Sequence, residues 1–236
     1  LKNQQTLLLL HLDFFWRHET MPLQLSIRII TSESSSVDLE KCMDSIKGLD
    51  IPENWELDIE IFTPDNIQKG NPYPRWKLKD IRQVKVSHPR FFRNVTENEI
   101  LSYSSHLSAI KSSSADILLV LEDTSNFRSD FLYRIDQALQ ELRQTKWNAI
   151  DFGREPIEFS EFPITQSLVK MGYTHHSHCI LYSKEGIEKI KLVDETVNLI
   201  PFDDFLCGLR NAHPRQEVNE MHDIESMIIY QSYTKL

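Results

Sequence analysis

The sequence has no glycine-rich phosphate loop, no nucleophile elbow and no protein-kinase signature, and only six of its 236 residues are glycine. Glycine-rich turns bring backbone N–H groups against phosphates in dinucleotide-binding and P-loop proteins. The elbow exposes the nucleophilic serine of an α/β-hydrolase. These absences disfavour the redox, kinase and serine-hydrolase classes.

Cysteine is also scarce. Cys42, Cys179 and Cys207 are an odd number, lie far apart in the sequence, and form neither a disulfide framework nor a CxxC site. Buried, reduced thiols in a cytosolic protein account for such cysteines. The sequence therefore predicts a cytoplasmic protein without structural disulfides.

Basic residues are outnumbered, since 26 Lys and Arg face 35 Asp and Glu and leave a net charge of −9. Binding along a nucleic-acid backbone requires clustered cations. We therefore expect no nucleic-acid partner. A ligand that carries phosphate would need a metal ion or one well-placed cation.

The apolar run over residues 7–16 is too short to span a bilayer, which takes about 20 residues, and it contains Asp13. It also lacks a clear charged start and cleavage site of a signal peptide. Because Met21 precedes a plausible first strand, residues 1–20 are predicted to be an appendage, a helix docked on the domain. At most, peripheral membrane contact is the alternative. Residues 21–236 are predicted to form one domain.

Strand-like and helix-like segments alternate along the chain. Residues 23–31 and 57–62 are typical of strands, and the apolar spacing over 37–49 predicts a helix between them. Strand, helix, strand in this order predicts a parallel crossover. Further strands are expected at 117–121, 147–152 and 178–183. Further helices are expected after the capping box at 96–99, over 127–142 and after Ser183. A long polar loop is expected from 153 to about 169. This pattern predicts an α/β fold.

The most informative stretch, residues 117–124, reads ILLVLEDT and stops abruptly at two acids. A short apolar run of this kind is typical of a strand that is buried on both faces. Acids at its carboxyl end project into the crevice where open α/β sheets bind ligands, and adjacent carboxylates can hold a hard divalent cation. The alternative is that Glu122 and Asp123 simply open a solvated turn.

A second acidic pair lies in residues 201–206, which read PFDDFL. Pro201 suits the first turn of a helix, and acids there interact favourably with the helix dipole. The functional interpretation places one carboxylate opposite the first acidic pair, where it accepts a proton from a hydroxyl nucleophile.

The sequence THHSHC over residues 174–179 suggests a zinc site. Alternation along a strand would place His176 and His178 on one face and His175 and Cys179 on the other. A closed four-ligand site within this segment is therefore not expected, and one histidine facing the crevice is the simpler interpretation.

In sequence order, these segments resemble glycosyltransferase family 25, which contains lipooligosaccharide galactosyltransferases and collagen hydroxylysine galactosyltransferases. The similar segments are Ser105-His106-Leu107, the strand ending in Glu122-Asp123, the strand that runs into Gly153-Arg154, residues 177–186, residues 200–206 and His213-Pro214. The resemblance covers roughly residues 95–215, and it depends on the succession of the motifs more than on any single one.

The resemblance implies a GT-A type fold, a Rossmann-like, mostly parallel sheet flanked by helices. It also implies an inverting transferase that moves a hexose, galactose by family habit, from a UDP-sugar to a hydroxyl of a glycan or protein acceptor. A divalent metal, usually manganese, would assist. Carried over, the site residues would be Glu122 and Asp123 at the metal and diphosphate, Asp203 as the base, and His106, Gly153, Arg154 and His178 around the donor.

Two departures from the family pattern support other functions. Thr124 stands where the family has its second aspartate, which removes a carboxylate from the metal site. The first strand runs into Ser32-Glu33-Ser34, where the family has an Asn-Leu-Asp-Arg stretch, so a basic nucleotide contact is missing. One alternative is a catalytically silent member that binds a glycan or a partner protein. Another is a metal-dependent nucleotide-sugar hydrolase.

Overall fold

The fold is that of a computed structural model, which describes residues 22–31, 36–62, 97–153, 155–156, 162–170, 172–175, 178–194 and 200–233. The predicted appendage over residues 1–20, the Ser32-Glu33-Ser34 stretch, Arg154 and His176 lie outside the described residues. What was expected of them stays a prediction.

The described strands fall into one large and one small sheet. They are β1 (Leu23–Ile30), β2 (Trp55–Phe62), β3 (Ile117–Glu122), β4 (Ala149–Asp151), β5 (Glu155–Pro156), β6 (Phe162–Pro163), β7 (Leu168–Lys170), β8 (Thr174–His175), β9 (Cys179–Ser183) and β10 (Ile229–Ser232). The large sheet has the order β2-β1-β3-β9-β4-β10-β7-β6, while β5 pairs with β8.

Most strands of the large sheet share one direction. β1 is parallel to β2 and β3, and β10 is parallel to β4. Only β9 and β7 are reversed in this sheet, because β9 is antiparallel to β3 and β4, and β7 is antiparallel to β10 and β6. The predicted α/β class, with a mostly parallel sheet flanked by helices, is confirmed. The predicted parallel crossover from β1 to β2 is confirmed as well.

The described helices lie between these strands. They are α1 (Val37–Lys47), α2 (Glu97–Lys111), α3 (Phe131–Glu141), α4 (Lys184–Lys191), α5 (Phe202–Leu209) and α6 (Gln216–Asn219). The N-caps of α1 and α4 are serines: the Ser36 hydroxyl accepts from the Leu39 amide at 3.0 Å, and the Ser183 hydroxyl accepts from the Gly186 amide at 3.1 Å. None of the helices in the described ranges combines the length and the apolar character of a bilayer-spanning segment.

Both faces of β3 are covered, as its continuous apolar sequence predicts. Leu118 and Val120 pack with residues of α2, α4 and α5 on one face. Leu119 and Leu121 pack with residues of α1 and α3 on the other. The strand therefore has no freedom to shift, and its last residue, Glu122, has a fixed position at the edge of the core.

Two parts of the sheet differ from the expectation. The stretch from 153 to 169, expected to be a polar loop, contains the short strands β5 and β6 and the start of β7. Near the carboxyl end of the chain, β10 inserts between β4 and β7. These strands have only two to four residues, which is too short to show a sequence period.

Candidate active site

Glu122 lies at the carboxyl end of β3, and both of its carboxylate oxygens contact histidines. Oε1 is 3.2 Å from Nε2 of His106 on α2. Oε2 is hydrogen-bonded to Nδ1 of His178, which immediately precedes β9. The Ser102 hydroxyl also donates to Oε1 at 3.5 Å. Glu122 does open a turn, since the Ser125 amide donates to its carbonyl at 2.9 Å. Its carboxylate, however, is the centre of a hydrogen-bonded cluster.

The cluster changes the protonation of both partners. Burial opposes ionisation of Glu122, but the hydrogen bonds from His106 and His178 outweigh it and hold the pKa of the carboxyl far below its usual 4.5. The hydrogen bond to Glu122 raises the pKa of His178 above its usual 6.5, although burial opposes the shift. The charges of Asp203 and Asp151 raise it further. Glu122 is thus an anion paired with a histidine that favours its charged form.

His106 is wholly buried, with 0% of its side chain exposed. Its ring stacks on Phe202, the first residue of α5, with ring centroids 3.9 Å apart and planes 13° from parallel. A side chain so enclosed reaches the site only through the groups that it touches. Its expected place around the donor is therefore behind Glu122.

The two acids at the start of α5 have different surroundings. Asp203 keeps 18% of its side chain exposed, and its Oδ2 is 3.7 Å from Nδ1 of His175. Asp204 is buried, accepts a hydrogen bond from the Tyr173 hydroxyl at 2.9 Å and lies 3.4 Å from Nε2 of His213. Asp203 is therefore the acid that can meet a ligand, whereas Asp204 holds α5 against its neighbours.

Carboxylates from distant parts of the chain converge on His178. Glu122 bonds to it directly, and Asp203 from α5 and Asp151 from β4 are close enough for their charges to act on its imidazole. His178 is thus the point on which the charges of carboxylates from β3, β4 and α5 act together. The functional interpretation of the two acidic pairs, in which Asp203 faces the first pair across a cleft, stays a prediction.

Gly153 lies beside this point. Its amide donates to Oδ1 of Asp151 at 3.0 Å. A Cβ at Gly153 would lie 3.0 Å from the Cys179 amide nitrogen and 3.3 Å from the His178 amide nitrogen. The glycine therefore allows the chain after β4 to pass close to the start of β9, and so close to His178.

The residues expected to hold a divalent metal are otherwise engaged. Asp123 accepts hydrogen bonds at Oδ2 from the Thr31 hydroxyl at 2.5 Å and the Ser36 hydroxyl at 3.3 Å, so it ties the end of β1 to the start of α1. Both oxygens of Glu122 contact imidazoles. Within the described ranges, no three His, Cys, Asp or Glu side chains are grouped so that they could hold a metal ion. The described residues therefore do not fit the metal that the resemblance implies.

His175 and Cys179 do not lie on one strand, although the predicted alternation of the histidines requires it. Thr174 and His175 belong to β8 in the small sheet, whereas β9 begins only at Cys179 in the large sheet. His175 and His178 therefore do not lie on one continuous strand. Each meets a different acid instead, Asp203 and Glu122 respectively.

The sequence interpretation did not include Asp151 or Tyr173 among the candidate site residues. Asp151 is the last residue of β4 and is fully buried. Its signal was available, because an acid that ends an apolar strand is the same feature that singled out Glu122. Tyr173 carried no such signal, because its partner Asp204 lies on an element far away in the sequence.

The sequence matches several curated proteins, although no protein-family model matches it. It is 27% identical over 144 residues to procollagen galactosyltransferase 2 of Mus musculus, covering 57% of this chain and 23% of that protein. It is 28% identical over 171 residues to a glycosyltransferase 25 family member of Aedes aegypti, covering 68% and 28%. It is 25% identical over 216 residues to the inactive glycosyltransferase 25 family member 3 of Homo sapiens, covering 85% and 35%. The chain thus spans little more than a third of these relatives at most.

Solved structures with a similar course of the chain include a crystal structure of S. aureus TarS, with a TM-score of 0.45 and 11% identity, covering 90% of this chain and 59% of that chain. Another is the mannosyltransferase PcManGT from Pyrobaculum calidifontis, in complex with GDP-Man and Mn²⁺. Its TM-score is 0.44 at 12% identity, and the match covers 93% of this chain and 63% of that chain.

The curated relatives agree with the family that the sequence resembles. The chain is a sequence relative of the glycosyltransferase 25 family, at about 27% identity over about half of its length.

Proposed function

We propose that this chain is a glycosyltransferase domain that moves a hexose, galactose by family resemblance, from a UDP-sugar to a hydroxyl of a glycan or protein acceptor. The observation that supports this best is the hydrogen bond between Glu122 and His178, on whose imidazole the charges of Asp203 and Asp151 also act. Asp203 keeps part of its side chain exposed and can serve as a base. His178, whose pKa is raised, can supply a counter-charge for a leaving diphosphate. We propose a cytoplasmic location.

Asp203 is the proposed base. It removes the proton of the acceptor hydroxyl while the hydroxyl oxygen attacks the anomeric carbon of the donor sugar. The bond from that carbon to the diphosphate oxygen breaks on the opposite face, and its electron pair leaves with UDP. One displacement of this kind inverts the configuration at the anomeric carbon.

His178 is the proposed source of positive charge for the departing diphosphate. Its side chain is 37% exposed, and its hydrogen bond to Glu122 raises its pKa. Preorganised charge at the leaving group is a large contribution to such reactions. Because the described residues do not fit a metal, we assign no step to one.

A silent binding module is the second candidate. Thr124 occupies the position of a family aspartate, both oxygens of Glu122 are engaged by histidines, and one relative of the chain is named inactive. In this case the same cleft would bind a glycan or a partner protein without transfer.

Calorimetric titration with UDP, with and without manganese, tests the proposal together with a screen of nucleotide sugars. UDP binding, with sugar transfer that needs an acceptor, supports the transferase. UDP release without any acceptor would instead indicate a hydrolase. No nucleotide binding at any manganese concentration would overturn the transferase and support the silent module.

A further inference from the structure

His106 is an imidazole in an otherwise aromatic contact between α2 and α5. Tyr103, one turn earlier on the same face of α2, meets Phe205 edge-to-face, with ring centroids 5.3 Å apart and an interplanar angle of 83°. Tyr103 also contacts Phe202 edge-to-face. His106 stacks flat on Phe202. Packing alone would be served equally well by phenylalanine at position 106.

The polar atoms of the His106 ring have unequal partners. Nε2 lies 3.2 Å from Oε1 of Glu122. Nδ1 is buried and has no hydrogen-bond partner in the described part of the chain. Burying a ring nitrogen without a partner destabilises a fold. The contact that distinguishes histidine from phenylalanine here is therefore the one to Glu122.

His106 thus touches both sides of the proposed site at once. Through Nε2 it holds the acid at the carboxyl end of β3, and through its ring face it holds Phe202, the residue before Asp203. It is itself fully buried, so it meets neither donor nor acceptor.

We infer that His106 is a positioning residue that fixes Glu122 and the start of α5 relative to each other, and so sets where His178 and Asp203 face the substrate. Oε1 of Glu122 is held by His106, which leaves Oε2 directed at His178. Groups that orient a charged site residue in this way have large effects without touching the ligand. The consequence for catalysis rests on the proposed function. The role of His106 in placing Glu122 relative to the start of α5 does not.

Three variants separate the hydrogen bond from the stacking. His106→Phe keeps a flat ring on Phe202 and removes the donor to Glu122. His106→Gln keeps an N–H close to the place of Nε2 and removes the stack. Tyr103→Phe is the matched control, because it lies on the same face of α2 and keeps its ring contacts with Phe202 and Phe205.

The measurements are thermal unfolding, the NMR resonances of the His178 imidazole, and UDP affinity by calorimetry. His106→Phe should unfold near the wild-type temperature, because the loss of the hydrogen bond to Glu122 and the removal of the unpartnered Nδ1 have opposite effects. It should shift the His178 resonances and weaken UDP binding roughly tenfold, the scale of one charge-assisted hydrogen bond. His106→Gln should restore the His178 resonances towards wild type. Tyr103→Phe should leave them unchanged.

Wild-type His178 resonances in His106→Phe would overturn the inference, and so would an equal shift in Tyr103→Phe. If His106→Phe fails to fold, His106→Leu takes its place, because it also removes the hydrogen bond to Glu122. Wild-type His178 resonances in that variant would overturn the inference in the same way. If the wild-type chain binds no UDP, the proposed function fails, while the His178 resonances still test the positioning role.

Discussion

Glu122 and His178 are hydrogen-bonded through both side chain and backbone. Oε2 of Glu122 accepts from Nδ1 of His178, and the Glu122 amide donates to the His178 carbonyl at 2.9 Å. The backbone bond extends the antiparallel register of β3 and β9, in which Leu121 faces Cys179. The reversed direction of β9 is therefore what brings His178 to the carboxyl end of β3.

This pair predicts how stability depends on pH. The pKa of Glu122 is lowered from 4.5 in the fold, so its contribution is present above 4.5 and is lost as the pH falls towards the lowered value. The pKa of His178 is raised from 6.5, so its contribution is complete below 6.5 and is lost as the pH rises through the raised value. The pair should therefore stabilise the fold most between pH 4.5 and pH 6.5.

Glu122→Gln should reduce this dependence. Urea unfolding should be measured between pH 4.5 and pH 6.5 and again well above pH 6.5. Between these two conditions the unfolding free energy should fall less for the variant than for wild type. Glu188→Gln is the control, since Glu188 forms a surface ion pair with Lys191 of the same helix and its loss should leave the profile unchanged. Identical profiles for wild type and Glu122→Gln would contradict the prediction.

Asp203→Asn should impair transfer without unfolding the chain. Removing a general base lowers turnover by about 10² to 10⁴, and an asparagine retains the size of the partly exposed side chain. We expect unchanged thermal unfolding, similar UDP affinity and a large fall in transfer from the UDP-sugar. Wild-type turnover in this variant would remove Asp203 from the mechanism.

Asp204→Ala, unlike Asp203→Asn, should destabilise the fold. The buried carboxylate accepts from the Tyr173 hydroxyl and faces His213, and alanine would leave both without it. A buried polar group that loses its partner costs about 1–3 kcal/mol. Chemical denaturation should show this loss for Asp204→Ala and almost none for Asp203→Asn. Equal stabilities would mean that the two acids do not divide their roles as proposed.

Gly186→Ala should be severely destabilising. A Cβ at this position in α4 would lie 2.0 Å from the Asn148 carbonyl oxygen. Because that oxygen is a backbone atom, either α4 or the chain at Asn148 would have to shift. Overpacking costs about 1–3 kcal/mol and more where the surroundings are rigid. Gly48→Ala is the matched control, because its Cβ would approach nothing closer than 3.5 Å. That substitution should leave the unfolding temperature unchanged or raise it slightly.

Local features of the fold were predictable because they depend on neighbours in the sequence. The serines that cap α1 and α4 act on amides three residues ahead. The apolar run of β3 identifies a doubly buried strand wherever it occurs. The direction of β9 and the insertion of β10 were not predictable, since pairing with a neighbour far away in the sequence determines both.

The sequence by itself determined that acids end a buried strand at position 122 and begin a helix at position 203, and it indicated the glycosyltransferase relatives of the chain. Only the tertiary structure decided that Glu122 is enclosed by His106 and His178, and that Asp203 rather than Asp204 keeps an exposed surface. The physical reason is that hydrogen bonding and burial of these side chains depend on the register of β3 against β9 and on the packing of α2 against α5, and both are contacts between segments that are far apart in the chain.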